Sequence, residues 1–108
     1  MFRPRIIPTL LLKDGSLVKS VKFKNYTYIG DPMNAIKIFN DKKFFELIFL
    51  DIDASNENRL IDYNFVEAVA DECYMPFSVG GGITNTEQIK KLLRAGAEKV
   101  VINSSFFD

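Results

Sequence analysis

The chain has 108 residues, and 47% of them are hydrophobic, which is enough for one small domain with a buried core. Its 14 basic and 14 acidic side chains balance, which argues against binding nucleic acid or an anionic membrane surface by bulk electrostatics. Histidine is absent and Cys73 is the single cysteine. These counts exclude a histidine triad, a histidine-based zinc site and an internal disulfide within the chain.

The first residues contain no apolar segment with the length and cleavage site of a signal peptide. No apolar run approaches the roughly 20 residues that span a bilayer. We therefore expect a cytoplasmic protein with no membrane contact, and we expect neither a metal nor another cofactor.

The first third of the chain predicts two strands and a loop. Arg5–Leu12 is a continuous apolar run, typical of a buried strand, although Pro8 lacks an N–H for a sheet. Lys13–Ser16 has the composition of a turn. Leu17–Phe23 alternates between apolar and polar residues, which predicts a solvated strand or hairpin arm. Lys24–Gly30 is polar and aromatic, and we expect a long loop there.

The middle of the chain predicts helix, strand and helix. Asp31–Pro32 begins the first helix, with aspartate as N-cap and proline at the first helical position. Leu47–Ile52 is a second buried strand, followed by a polar loop over Ala54–Leu60. Either Asp62 or Asn64 begins the second helix.

A third strand, Phe77–Val79, ends in three glycines. Thr84 and Glu87 have the spacing of a capping box, which predicts a third helix over Glu87–Ala95. A fourth strand follows over Lys99–Ile102. Glycine amides can approach an anion closely, and a helix N-terminus adds partial positive charge. The glycine turn therefore favours phosphate binding, although a tight turn without a ligand fits the same residues.

The predicted order βαβαβαβ indicates an α/β fold with a parallel sheet and right-handed crossovers. It fits either an open sheet or part of a (β/α)8 barrel, and a complete barrel needs roughly 250 residues. In both architectures ligands bind at the carboxyl ends of the strands. Polar residues follow those predicted ends: Asp51, Asp53, Gly80–Gly82, Asn103, Ser104 and Ser105.

Several motifs stand in a fixed order along the chain: Arg5–Pro8, Lys13–Gly15, Val18–Lys19, Gly30–Pro32, Glu46–Ile52, Pro76–Ile83 and Lys99–Ser104. Together they resemble the amino-terminal part of the cyclase subunit of imidazole glycerol phosphate synthase. The resemblance covers nearly the whole chain but under half of a usual family member. It implies parallel (β/α) units that form about half of a TIM-type (β/α)8 barrel, with residues 1–108 as one N-terminal half-barrel domain.

The resemblance also implies a site at the carboxyl ends of the strands. Gly81, Gly82, Asn103 and Ser104 would bind a phosphate of a phosphorylated small-molecule substrate. Asp51 would lie near the reacting centre as a catalytic residue. Lys19 would be a second catalytic residue, on a loop after strand one that closes over the substrate. For Asp51 and Lys19, a loop anchor and a solvated lysine are the alternatives.

A second implied site lies at the opposite ends of the strands. In the family, ammonia from a glutaminase partner enters the barrel through a ring of charges. Arg5, Glu46 and Lys99 match three of its four members. A ring of mutually neutralising charges is physically sensible, because unpaired charges in a barrel mouth are costly. Ordinary surface ion pairing is the alternative.

One departure bears on the chemistry. The family's first acid-base aspartate belongs to a Leu-Asp-Val-Lys motif, and the matching stretch here is Leu10–Lys13, with Leu11 in place of the aspartate. The second aspartate belongs to a strand that would follow Asp108. Loss of an acid-base group typically removes a factor of roughly 10²–10⁴ in rate. Whether the chain is a lyase-type enzyme therefore stays open.

That departure is shared with a side branch of the family. Leu10–Lys13, Val21–Asn25, Asn34–Ile36 and Phe49–Asp53 are similar to cyclase-like proteins encoded with surface-polysaccharide genes. Those proteins are thought to channel ammonia from a glutaminase to a sugar amidotransferase that forms acetamidino groups. The competing hypothesis is a non-catalytic phosphate-binding or self-associating module. A lone half-barrel would expose sheet edges, so we expect a homodimer or pairing with a second half-barrel.

Overall fold

A computed structural model describes residues 7–13, 16–21, 25–42, 46–54 and 56–102. Within these ranges the chain forms six strands and three helices: β1 (Thr9–Lys13), β2 (Ser16–Val21), β3 (Asn25–Gly30), α1 (Pro32–Lys42), β4 (Leu47–Asp51), α2 (Tyr63–Glu72), β5 (Phe77–Gly80), α3 (Thr86–Ala95) and β6 (Lys99–Val101). The strands form one sheet in the order β3-β2-β1-β4-β5-β6.

Four of these strands carry the predicted architecture. β1, β4, β5 and β6 lie side by side in the sheet, in the same order as along the chain, and each adjacent pair is parallel. A helix connects each of the last three strands to the one before it in that series. The predicted α/β fold with a parallel sheet is confirmed, and it is consistent with half of a (β/α)8 barrel.

A hairpin precedes α1 and was only half predicted. β2 pairs antiparallel with β1, and β3 pairs antiparallel with β2. The prediction of a loop over Lys24–Gly30 is therefore wrong, because Asn25–Gly30 is a strand. Its residues Tyr26–Ile29 are aromatic or β-branched, and such side chains favour strands. Lys19, expected on a loop, lies within β2 opposite Thr27.

The objection that Pro8 raised to the first strand is resolved by its position. β1 begins at Thr9, so Pro8 stands just before the strand and its missing N–H leaves no gap in the ladder. The carbonyl of Pro8 still accepts a hydrogen bond from the Ile48 amide at 3.0 Å. The strand extends to Lys13, one residue beyond the prediction, and Arg5 and Ile6 lie outside the described residues.

Alternate residues of the parallel strands build the core against the helices. Phe49 is fully buried, and its ring meets the rings of Phe65 and Phe77 edge-on, with centroids 5.6 Å and 6.2 Å away. Strand and helix residues share this cluster: Leu10, Leu12, Ile36, Leu47, Val66, Val69, Val79 and Leu92. Burial of this apolar area is the main stabilising term of the fold.

The intervening residues lie on the other side of the sheet, which we call the second face. Leu11, Leu50, Gly80 and Val101 are successive cross-strand neighbours there. Leu11 and Leu50 are half-buried, and Val101 is 40% exposed. In a complete barrel this face would point to the barrel interior.

The helix starts follow capping chemistry. Asp31 accepts a hydrogen bond from the Met33 amide at 3.1 Å, and Asp62 accepts one from the Asn64 amide at 2.9 Å. Both predicted helix starts are confirmed, with Asp62 and not Asn64 as the cap of α2.

The predicted capping box of the third helix is off by one residue. Asn85, not Thr84, is the N-cap of α3, and its side chain accepts from the Gln88 amide at 2.9 Å. The Gln88 side chain in turn accepts from the amide of Thr84, the residue before the cap, at 2.7 Å. Asparagine caps a helix at least as well as threonine, so Asn85 and Gln88 take the places predicted for Thr84 and Glu87, and Glu87 is exposed in the first turn.

Cys73 ends α2 and is half-buried against the core. Its Sγ donates a hydrogen bond to the Met75 carbonyl at 3.2 Å. Burial raises the pKa of the Cys73 thiol. Because the thiolate is the reactive form, we expect iodoacetamide to alkylate Cys73 more slowly at pH 8 than it alkylates the chain unfolded in urea. Equal rates in the two states would contradict the burial of the thiol.

Among the described residues, no helix is both long enough and apolar enough to cross a membrane.

Candidate functional site

A cavity of about 460 Å³ lies at the carboxyl ends of β4, β5 and β6. Parallel strands bring their carboxyl ends to one edge of the sheet, and loops from successive units meet there. The cavity is lined by Leu50, Asp51, Ala54, Asn58, Arg59, Leu60, Gly80, Gly81, Gly82, Ile83, Thr84, Gln88 and Val101. Its walls thus combine an apolar floor with the charged Asp51–Arg59 pair and the glycine turn.

The glycine turn (Gly80–Gly82) packs tightly against the β4–α2 loop (residues 52–62). The Gly81 carbonyl accepts a hydrogen bond from the Ile61 amide at 2.9 Å. Gly82 has a φ of +70°, and a Cβ on it would overlap the carbonyl oxygen of Arg59. A Cβ on Gly81 would lie 2.8 Å from the Cβ of Asp51. The turn therefore requires glycine for close approach of the loop as well as for its backbone conformation.

Gly81 and Gly82 both line the cavity. Neither Gly81 nor Gly82 donates a backbone hydrogen bond to another described residue. α3 begins at Thr86, and Gln88 in its first turn lines the same cavity. Amide groups and a helix N-terminus at one place form an environment that favours an anion.

Asp51 forms a two-point ion pair with the guanidinium of Arg59. Its Oδ2 accepts from Arg59 Nη1 at 2.6 Å, and its Oδ1 accepts from Arg59 Nη2 at 3.3 Å. Oδ1 also accepts from the Asp53 amide at 3.1 Å. The Asp51 side chain is only 10% exposed, whereas that of Arg59 is 37% exposed. Two-point contact of this kind fixes the plane of the guanidinium as well as the position of its charge.

Arg59 was not singled out from the sequence. The hydrogen bond to Asp51, followed by that to Glu57, raises the pKa of the guanidinium above its already high usual value, so Arg59 is a permanent cation. The only sequence signal was an arginine in a polar loop after a strand that ends in aspartate. Asp51 and Arg59 are eight residues apart in the sequence, and the conformation of the loop brings them together. No periodic pattern in the sequence encodes that conformation.

A second ion pair lies beside the first. Lys13, at the end of β1, contacts Asp53 Oδ1 at 3.1 Å, and the Asp53 side chain is 13% exposed. β1 and β4 are parallel neighbours, so their carboxyl ends carry the two pairs next to each other. Asp51, the last residue of β4, and Asp53, two residues later, are therefore both paired with cations.

The structure brings together three of the predicted site residues. Asp51, Gly81 and Gly82 all line the cavity. Asn103 and Ser104 lie outside the described residues, as does Arg5. Lys19 is part of β2, and its expected role stays a prediction.

The two remaining charges lie at the opposite ends of the strands. Glu46 directly precedes β4, and Lys99 is the first residue of β6 and is exposed. β5 lies between those two strands in the sheet. Both residues are therefore at the amino ends, away from the cavity.

Leu11 also has a defined position. It lies on the second face, opposite Leu50 of β4, while its neighbours Leu10 and Leu12 are buried in the core. The residue in the aspartate's place therefore lies on the face that would line a barrel, and its side chain cannot transfer a proton.

Comparison with known proteins gives a consistent result. The histidine biosynthesis protein family matches residues 5–108. The chain is 54% identical over 104 residues to a provisionally named imidazole glycerol phosphate synthase subunit HisF of Leptospira interrogans, covering 96% of this chain and 41% of the relative. It is also 54% identical over 105 residues to the provisionally named subunit hisF2 of Pseudomonas aeruginosa, covering 97% and 42%.

A third relative is the imidazole glycerol phosphate synthase subunit HisF of Streptococcus mutans, 47% identical over 105 residues, which are 97% of this chain and 42% of the relative. The chain thus spans about two fifths of the length of the curated relatives it matches. With a match across almost all of its residues, the chain belongs to the histidine biosynthesis protein family.

Proposed function

We propose that this chain supplies the amino-terminal (β/α) units of a cyclase-type subunit that uses ammonia from a glutaminase partner. The names of the three relatives reported above support this proposal, since each is named an imidazole glycerol phosphate synthase subunit, two of them provisionally. The observation that carries it is the cavity at the carboxyl ends of β4 and β5, where Asp51 and the glycine turn meet. That edge is where proteins of this architecture bind substrates.

In this proposal the cavity receives the phosphate of a phosphorylated small molecule. The amides of Gly81 and Gly82, together with the N-terminus of α3, favour an oxyanion. Asn103 and Ser104, which follow β6 in the sequence, are the further residues expected to contact it.

We further propose that the subunit has diverged from ring closure to sugar amidation, in which ammonia is used to form an acetamidino group. Leu11 supports this choice, because it stands where the ring-closing family members have an acid-base aspartate. Passing ammonia to another acceptor needs the barrel and its entrance, but it does not need a proton-transferring group at that position.

The entrance for ammonia would lie at the amino ends of the strands. Glu46 and Lys99 have opposite charges, and Arg5 precedes β1 in the sequence. A ring of charges that neutralise one another keeps the cost of partial burial low and presents a defined surface to a glutaminase.

The test is association with the glutaminase of the same organism and transfer of its ammonia. We expect the two proteins to co-elute and the glutamine hydrolysis rate to rise. In Arg5→Ala and Lys99→Ala, we expect a smaller share of the released ammonia to reach the acceptor, with hydrolysis retained. Lys90→Ala removes an exposed lysine on α3 and is the matched control. No co-elution, or no change in transfer by either variant, would overturn the proposal.

A non-catalytic, self-associating module is the second candidate, and the second face favours it. Leu11, Ile48 and Leu50 are only half-buried there, and Val101 is exposed. Sheet faces with uncovered apolar side chains tend to pair with another surface. Sizing of the purified chain separates the candidates: a dimer that neither binds phosphate nor engages a glutaminase would favour the module.

A further inference from the structure

We infer that Arg59 is an oxyanion-binding residue of the cavity, that Asp51 positions it, and that Glu57 holds the guanidinium edge until a ligand displaces it. The inference rests on the proposed function, in which the cavity receives a phosphorylated small molecule. It assigns to Asp51 a role that differs from the catalytic one expected from the sequence. It also gives the β4–α2 loop a direct part in binding.

Asp51 has the geometry of an anchor. Each of its oxygens accepts from Arg59, and Oδ1 also accepts from the Asp53 amide. A carboxylate engaged on both oxygens and 10% exposed has little access to a substrate proton. Its charge is instead used to fix Arg59, since a fork contact restrains both the position and the plane of a guanidinium.

Arg59 has the geometry of a ligand-contacting group. Arg59 lines the same cavity as Gly81 and Gly82, and its side chain is 37% exposed. Its guanidinium carries more N–H groups than its contacts with Asp51 and Glu57 use. An oxyanion between the glycine turn and Arg59 would receive backbone amides on one side and a fixed cation on the other.

Glu57 is the partner of Arg59 that is held less firmly. Its side chain is 51% exposed, and it is not among the residues lining the cavity. It accepts from Nε of Arg59, whereas Asp51 accepts from the two terminal nitrogens. Exposed ion pairs are weak, so an oxyanion in the cavity can compete with the Glu57 carboxylate for the same cation. Removal of the Glu57 charge should therefore tighten binding.

The test uses the full 108-residue chain and inorganic phosphate as the probe, titrated at constant ionic strength. We expect Arg59→Gln to weaken phosphate binding roughly 10-fold, and Arg59→Lys to weaken it less because charge is kept and the fork is lost. We expect Glu57→Gln to strengthen binding about two- to fivefold. Glu98→Gln is the matched control, because it removes one exposed carboxylate at the amino end of β6.

A direct readout separates a binding role from a structural one. In the ¹⁵N spectrum, the Nε–H signal of Arg59 should shift with the same phosphate dependence as the Gly82 amide. Asp51→Asn should weaken binding and abolish that shared dependence, although Arg59 is still present. Acetate at equal concentration should give smaller shifts if the site selects a phosphoryl group, and equal shifts would support an oxyanion site that does not distinguish phosphoryl groups from carboxylates.

Two outcomes would overturn the inference. One is phosphate binding by the wild-type chain that is unchanged in Arg59→Gln and Arg59→Lys, with folding verified by circular dichroism. The other is equal affinity in Glu57→Gln and Glu98→Gln. Neither outcome bears on co-elution with a glutaminase, so failure of this inference is distinguishable from failure of the proposed function.

Discussion

Gly82→Ala is expected to destabilise the chain by about 3 kcal/mol or more, because two costs coincide at that position. The φ of +70° is a left-handed conformation that costs an alanine about 1–2 kcal/mol. The new Cβ would also overlap the Arg59 carbonyl, a backbone atom that cannot rotate away. The β4–α2 loop must therefore move, which breaks the Ile61–Gly81 hydrogen bond and disturbs the cavity.

Gly30→Ala is the matched control for this variant. Gly30 also has a positive φ, +126°, but a Cβ there would meet no atom within 4 Å. Gly30→Ala should therefore lower the free energy of unfolding only through backbone strain, by about 1–3 kcal/mol. Urea unfolding of both variants measures the difference in free energy of unfolding. Equal losses would show that the β4–α2 loop does not press against Gly82.

Phe49→Ala is the second variant with a large expected effect, a loss of about 3–5 kcal/mol in free energy of unfolding. The ring is fully buried at the centre of the core, between Phe65 and Phe77. Removal of the ring eliminates the buried area of a large side chain and two edge-on ring contacts. It also leaves a cavity in the core. Marginal stability of small domains makes a loss of this size sufficient to unfold a large fraction of the chain.

Two comparisons make the second prediction specific. Phe49→Leu refills much of the space and should cost only about 1–2 kcal/mol. Phe65→Ala removes a ring that is half-buried, and its loss should be smaller than that of Phe49→Ala. Urea unfolding midpoints ranked in another order would place the centre of the core elsewhere than at Phe49.

Local chemistry made most of the fold predictable. The Asp31–Pro32 start of α1 depends on capping and on the fixed φ of proline, and both act within a few residues. The buried strand at Leu47–Asp51 follows from a continuous apolar run between polar segments. The glycine turn was placed correctly between a strand and a helix, because glycines after an apolar run interrupt regular structure.

Features that depend on tertiary partners were missed. Asn25–Gly30 contains enough polar atoms to suggest a loop, but pairing with β2 satisfies its backbone. Asn85 rather than Thr84 caps α3 because the Gln88 amide donates to the Asn85 side chain, whereas Thr84 donates its own amide to the Gln88 side chain. The partnership of Asp51 with Arg59 depends on the path of the β4–α2 loop, which no local pattern encodes.

The interlocking of the glycine turn with the β4–α2 loop has a thermodynamic consequence for recognition. The Arg59 carbonyl fills the space beside Gly82 and the Ile61 amide is bonded to Gly81, so the two walls are in contact at both points before any ligand arrives. Little conformational entropy then remains to be lost on association, so affinity at this edge would come from a preorganised receptor and not from ordering of a flexible segment.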